Sequence, residues 1–149
     1  MTETFLSLRR LENEAIRILS QDNMIIGFED DNSWIRVGIH QFYGIEINDF
    51  AVATATTALW IAEAQMMKET ENIIHQDMDF FPLKSYTNIV EGNALRMDWN
   101  EVVPAEELNY IMGNPPFVGY SLQSESQKQD ILDIMVDEDG KQLKAAGKA

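Results

Sequence analysis

Residues 41–69 read QFYGIEINDFAVATATTALWIAEAQMMKE, and the two parts of this stretch obey different periods. Gln41–Ile47 is a compact aromatic and β-branched run, the composition of a short strand. Asn48 and Asp49 follow it, and either is a good helix N-cap. From about Phe50 to Glu69 the sequence then predicts a helix whose early Ala and Thr residues suit close packing of one face on a sheet. At about 1.5 Å per residue such a helix is near 30 Å long and flanks a sheet from edge to edge. Strand, tight turn and long helix are the first half of a βαβ unit, which a second strand completes.

Toward the C-terminus, residues 70–87 show no clear period and read as a loop. Asn88–Val90 is a short apolar strand stopped by Gly92 and Asn93, in the text NIVEGNAL. After a linker containing Pro104, Leu108–Met112 (LNYIM) reads as another short strand, ending at Gly113 and the run Asn114-Pro115-Pro116-Phe117. A flexible stretch then leads to an amphipathic helix over Gln127–Val136, and residues 137–149 lack the apolar content to pack alone. Toward the N-terminus, residues 33–39 (SWIRVGI) are a short strand or a partner-facing loop, and 21–33 are turn-rich and acidic. Residues 3–20 read as a helix with Phe5, Leu8, Leu11, Ile16 and Leu19 at helical spacing and Thr2 as N-cap. That helix has nothing before it to bury its apolar side, so it docks on later elements. Strands separated by long crossovers give an α/β fold with a parallel sheet.

Composition narrows the function classes. The apolar fraction of 45% supports a core of ordinary size and excludes wholesale disorder. No apolar run reaches the roughly 18 residues of a membrane helix, and the first twenty residues do not resemble a secretory signal, so a cytoplasmic protein with no membrane partner is expected. Without cysteine there are no disulfides, thiolate metal sites or cysteine nucleophiles. His40 and His75 share no ligand spacing, and no metal site is expected. The methionines Met66, Met67 and Met78 and the three tryptophans Trp34, Trp60 and Trp99 read as packing residues, and Glu29-Asp30-Asp31 as a solvated loop. A net charge of −14 repels a phosphate backbone, so if nucleic acid is the partner, the main basic surface lies outside these residues.

In a parallel α/β sheet ligands bind beyond the carboxyl ends of the strands. Three such ends carry polar or Gly/Pro chemistry. Glu46 is either a carboxylate accepting from the two vicinal hydroxyls of a ribose or a plain helix-capping carboxylate, and Ile47 beside it offers an apolar face to an adenine ring. Asn93 is either a turn residue or the acceptor for an exocyclic amino group, with the N–H of Ala94 donating to the neighbouring ring nitrogen. Asn114-Pro115-Pro116-Phe117 is either a proline turn or a rigid loop presenting acceptors. Its prolines fix φ near −65° and hold Asn114 extended. In the second case the Asn114 side-chain oxygen and the Pro115 carbonyl both accept from one amino group, and Phe117 stacks on the base that carries it.

FYGIEI, a long helix, NIVEGNAL and YIMGNPPFVG, in that order and at these separations, resemble an S-adenosylmethionine-dependent DNA adenine-N6 methyltransferase. The resemblance is to the methylase module of large single-chain (type II) restriction-modification enzymes, and it covers most of residues 3–136. It implies a Rossmann-like class I methyltransferase fold over residues 1–136, followed by a polar tail over 137–149. It also implies S-adenosyl-L-methionine as cofactor, held by Glu46 and Ile47 at the ribose and by Asn93 and Ala94 at the adenine. Asn114, Pro115, Pro116 and Phe117 take the flipped target adenine of a DNA substrate.

The chain departs from the family pattern in ways that set further expectations. No two of the eight glycines have the spacing of a GxG pair, so the glycine-rich cofactor loop and the first strand are expected to be missing. That strand belongs between those ending at Glu46 and Met112, and its loss predicts unpaired strand flanks and self-association. The similarity fades after Val136, before the C-terminal strands and the DNA-reading part. The expectation is a methyltransferase fragment that is inactive alone. Asn93 stands where many relatives have Asp, which keeps an acceptor but gives up a charge. Two alternatives remain at this stage: methylation of guanine N2 in RNA or of glutamine in protein, and a non-enzymatic acidic interaction fragment.

Overall fold

The long central helix is the spine of the first of two units into which the chain divides, Met1–Glu91 and Gly92–Ala149. The structure, a computed structural model, describes residues 1–21, 35–75, 87–113 and 120–136. The acidic run at 29–31, Trp34, Met78, the loop Asn114–Phe117 and the tail 137–149 lie outside the described residues.

In the first unit, α1 spans Thr2–Gln21, β1 Tyr43–Glu46, α2 Asp49–Ile74 and β2 Asn88–Glu91. The two strands pair in parallel, with Tyr43 opposite Asn88 and Glu46 opposite Glu91. The βαβ reading of the sequence therefore holds, and the chain is an α/β protein with a small parallel sheet. Asn48 is the N-cap of α2, its side-chain oxygen accepting the Ala51 N–H at 3.1 Å. At its other end α2 runs five residues past the expected Glu69 and stops at His75, whose φ of 57° is the left-handed conformation that ends helices. Residues 70–74, expected as loop, are helical because Thr70 is buried and bonded into the helix packing.

Phe5, Ile39, Leu59, Ala62 and Met66 form the core, with Val37, Phe42, Trp60 and Ile89 packed against it. Phe5 meets Phe42 edge to face at 5.7 Å, a contact worth about 1 kcal/mol beyond its area. Met66 and Met67 are buried, as expected of packing residues. Ile39 sits in a single 3₁₀ turn, Ile39–Gln41, and residues 35–38 form no strand.

α1 does dock on a later element, α2, but not through the stripe the leucines suggested. Its buried residues are Phe5, Arg9, Asn13 and Ile16, while Leu8, Leu11 and Leu19 are exposed. The reason lies on α2. The Arg9 guanidinium donates to Thr70 Oγ1 at 2.8 Å, Thr70 donates to Asn13 Oδ1 at 2.7 Å, and Arg9 pairs with Glu12. Glu12 Oε1 in turn accepts the N–H groups of Arg36 and Val37 at 2.7 and 3.2 Å. Polar residues hold the buried stripe because each finds a partner there.

In the second unit, residues 93–107 make a chain of short turns. Asn93 O accepts from Arg96 and Met97, and Asp98 caps the 3₁₀ turn Trp99–Glu101. α3 spans Glu125–Ile134 with Ser124 and Gln127 forming a capping box, two residues earlier than expected. The strand expected over Leu108–Met112 is absent. These residues carry no ladder, and Tyr110, Ile111 and Met112 are 64 to 88% exposed. A strand exists through its paired N–H and C=O groups, and apolar side chains alone do not supply them.

Candidate functional site

The carboxyl ends of β1 and β2 lie side by side in the first unit, Glu46 opposite Glu91. Glu46 turns its carboxylate back onto the start of α2. Oε1 accepts the N–H groups of Ile47 at 2.9 Å and Asn48 at 3.4 Å, and Oε2 has no partner among the described residues. One oxygen therefore caps the turn and the other is open, so the capping and the ligand-binding readings are compatible. Ile47 is 69% exposed and Phe50, on the first turn of α2, 77%. Two apolar side chains thus stand in solvent where a helix leaves the sheet. Phe50 entered the sequence reading only as a helix start; its signal is an aromatic at a helix N-terminus, outside the core-facing period.

The second unit carries Asn93 and Ala94, two and three residues past the end of β2. Asn93 Oδ1 accepts the Leu95 N–H at 3.0 Å, a local turn that leaves a second lone pair on the oxygen. The Ala94 N–H has no partner among the described residues, while its carbonyl accepts the Trp99 indole N–H at 2.7 Å. Trp99 pins this turn from outside and is itself 42% exposed, not a core residue. The turn thus presents an acceptor side chain followed by a backbone donor that is open among the described residues.

Asn93 also reaches α3. Its Nδ2 donates to Asp130 Oδ2 at 2.9 Å, and Arg96 donates through Nε to Asp130 Oδ1 at 2.6 Å. Asp130 is the buried residue of α3. The hydrogen bond from Arg96 holds its carboxyl below the ordinary carboxylate value; burial opposes this, and the Asn93 amide adds to the lowering. Sequence reasoning missed Asp130 and Arg96. One signal was available: Arg96 is the single basic residue between Asn88 and Gln127, three positions from Asn93. Glu46 and Ile47 thus stand together in one unit and Asn93 and Ala94 in the other. The loop Asn114–Phe117 lies outside the described residues.

Parallel strands joined through a long helix make the first unit part of an α/β protein, with a carboxylate, Glu46, on the last residue of β1. Residues 1–145 match the family model described as MmeI, DNA-methyltransferase domain. The chain belongs to that family. It is 39% identical over 135 residues to DNA methyltransferase A of Bacillus subtilis (strain 168), a match covering 88% of this chain and 15% of that protein. A structure of the type IIL restriction-modification enzyme MmeI in complex with DNA is similar at a TM-score of 0.78 and 35% identity. That match covers 93% of this chain and 19% of the MmeI chain. The chain therefore spans less than a fifth of the length of these two relatives. Among the described residues no helix is long and apolar enough to cross a membrane.

Proposed function

We propose that these residues are part of a DNA adenine-N6 methyltransferase of a restriction-modification system, with S-adenosyl-L-methionine as methyl donor. Residues 1–136 contribute to a class I methyltransferase fold, and the substrate is an adenine in DNA. The observation that carries the reading is the pair at Asn93 and Ala94, a carboxamide oxygen with a lone pair to spare followed by an N–H without a partner among the described residues.

Each unit, taken by itself, carries groups suited to part of a nucleoside cofactor. In the first unit Glu46 has one carboxylate oxygen without a partner among the described residues, suited to ribose hydroxyls, and Ile47 presents an exposed apolar side chain. Asn93 accepts from the adenine amino group and the Ala94 N–H donates to the adjacent ring nitrogen. When bound, the cofactor supplies an electrophilic methyl group on its sulfonium.

By the family resemblance, the run Asn114-Pro115-Pro116-Phe117, outside the described residues, takes the substrate. The amino group of adenine is a weak nucleophile because its lone pair is delocalised into the ring. Two acceptors on its hydrogens, Asn114 Oδ1 and the Pro115 carbonyl, favour a pyramidal nitrogen and return that lone pair to it. By the family resemblance, Pro116 belongs to the same substrate-binding run and Phe117 stacks on the extruded base. Orientation and fixed dipoles supply the acceleration, with no general base of shifted pKa.

Calorimetric titration of the chain with S-adenosyl-L-methionine tests the reading. Saturable binding that Glu46→Ala removes is the expected result; heat of dilution alone for the wild type contradicts it. For the substrate, the methyltransferase of which these residues are part is expected to place label from methyl-tritiated cofactor in N6-methyldeoxyadenosine of digested DNA, and this chain alone to transfer none. Label in guanine N2 of RNA or in protein glutamine replaces that assignment.

A further inference from the structure

Asp130 is buried, 6% exposed, on a helix whose other acidic residues face solvent. Neither of its oxygens serves α3 itself. Oδ2 takes the Asn93 amide at 2.9 Å and Oδ1 takes Arg96 at 2.6 Å, residues 37 and 34 positions back in the chain. A carboxamide has two ends of nearly equal shape and opposite polarity, and which end faces a ligand decides what the ligand must offer. An ionised carboxylate only accepts, so it selects the Nδ2 end of Asn93 and leaves Oδ1 as the end available to a ligand. Without it, the orientation rests on a single neutral hydrogen bond, from the Leu95 N–H.

We propose that Asp130 is a positioning residue that fixes the polarity of the Asn93 carboxamide, and so makes this turn accept a purine with a 6-amino group over one with a 6-oxo group. The inference rests on the reading of Asn93 as the adenine-facing residue. Arg96 keeps Asp130 in its accepting form; a protonated Asp130 donates instead, and then the flipped amide is equally satisfied.

The test measures a ratio. The wild-type chain, Asp130→Asn and Asn93→Ser are titrated with S-adenosylhomocysteine and with S-inosylhomocysteine, which differ only at purine position 6 and the adjacent ring proton. The wild type is expected to favour the adenosyl ligand by about tenfold or more. In Asp130→Asn, whose side chain offers both a donor and an acceptor, the preference falls toward one, partly through tighter inosyl binding. A purely structural role weakens both ligands together, and an unchanged ratio overturns the inference while leaving the cofactor reading intact.

A second measurement needs no folded Asp130 variant. In nitrogen-15 spectra of the wild-type chain the Asn93 side-chain amide, assigned with Asn93→Ser, is expected to be shifted from exposed asparagines and slowed in hydrogen exchange. An amide indistinguishable from exposed ones overturns the inference whatever the chain binds. An ordered Asn93 amide in a chain that binds neither nucleoside overturns the cofactor reading and, with it, the specificity role of Asp130.

Discussion

Arg9 in the first unit and Asp130 in the second are both charged residues buried by helices, and both sit in networks of named hydrogen bonds. Arg9 joins α1 to α2 through Thr70, and every group it touches is part of the packing. Asp130 joins α3 to the Asn93 turn, and one of its two partners is a candidate ligand-binding side chain. Equal burial thus accompanies different work. What separates the two is the other end of the hydrogen bond: a group already enclosed in one case, a group with an unused lone pair in the other.

The largest expected effect comes from Arg9→Ala. Removing a buried partner of Glu12 and Thr70 is expected to cost about 3 kcal/mol, measured by urea denaturation, with cofactor affinity of the folded chain unchanged. Unaltered stability breaks the claim that α1 is fastened by this network. Asp130→Asn is expected to change pH dependence more than structure. The native carboxyl titrates below its ordinary value, so its stabilisation is complete above an unfolded-state pKa of about 4 and is lost as pH falls through the lower folded value. Denaturation midpoints between about pH 5 and 2 should fall less steeply in the variant than in the wild type; parallel profiles contradict the pairing with Arg96.

Two smaller changes sharpen the comparison at helix ends. Asn48→Ala removes the cap of α2 and Ser124→Ala that of α3, each at about 1 kcal/mol. Hydrogen exchange should localise the losses to residues 49–52 and 125–128 respectively. Least costly is Gly92→Ala. A Cβ there meets the flexible end of the Met97 side chain, which can swing away, so a loss within about 1 kcal/mol is expected together with a shifted Met97 methyl resonance.

Much of the first unit was legible because its signals are local. Asn48 or Asp49 marks the start of α2, and the runs at 41–47 and 88–90 mark strands whose long crossover points to a parallel arrangement; the first pairs only over 43–46. Of the α1 stripe Phe5 and Ile16 are buried as expected, while the leucines are not, for the opposite reason. Leu8 and Leu11 look like core and Arg9 and Asn13 do not, until Thr70, some sixty positions away, supplies a hydroxyl to bond them. Leu108–Met112 has strand composition without a strand, since a ladder is a property of two segments. At the site, Glu46 and Asn93 were legible as strand-end residues. Asp130 was not: an aspartate on an amphipathic helix reads as solvated unless its distant partners are known.

The most direct test follows backbone amides of the labelled chain by nitrogen-15 spectroscopy during titration with S-adenosyl-L-methionine. The account predicts that the N–H signals of Ile47 and Ala94 shift together along one saturation curve, and that Glu46→Ala abolishes both. Saturable shifts at neither residue, or at one with the other unmoved, contradict it.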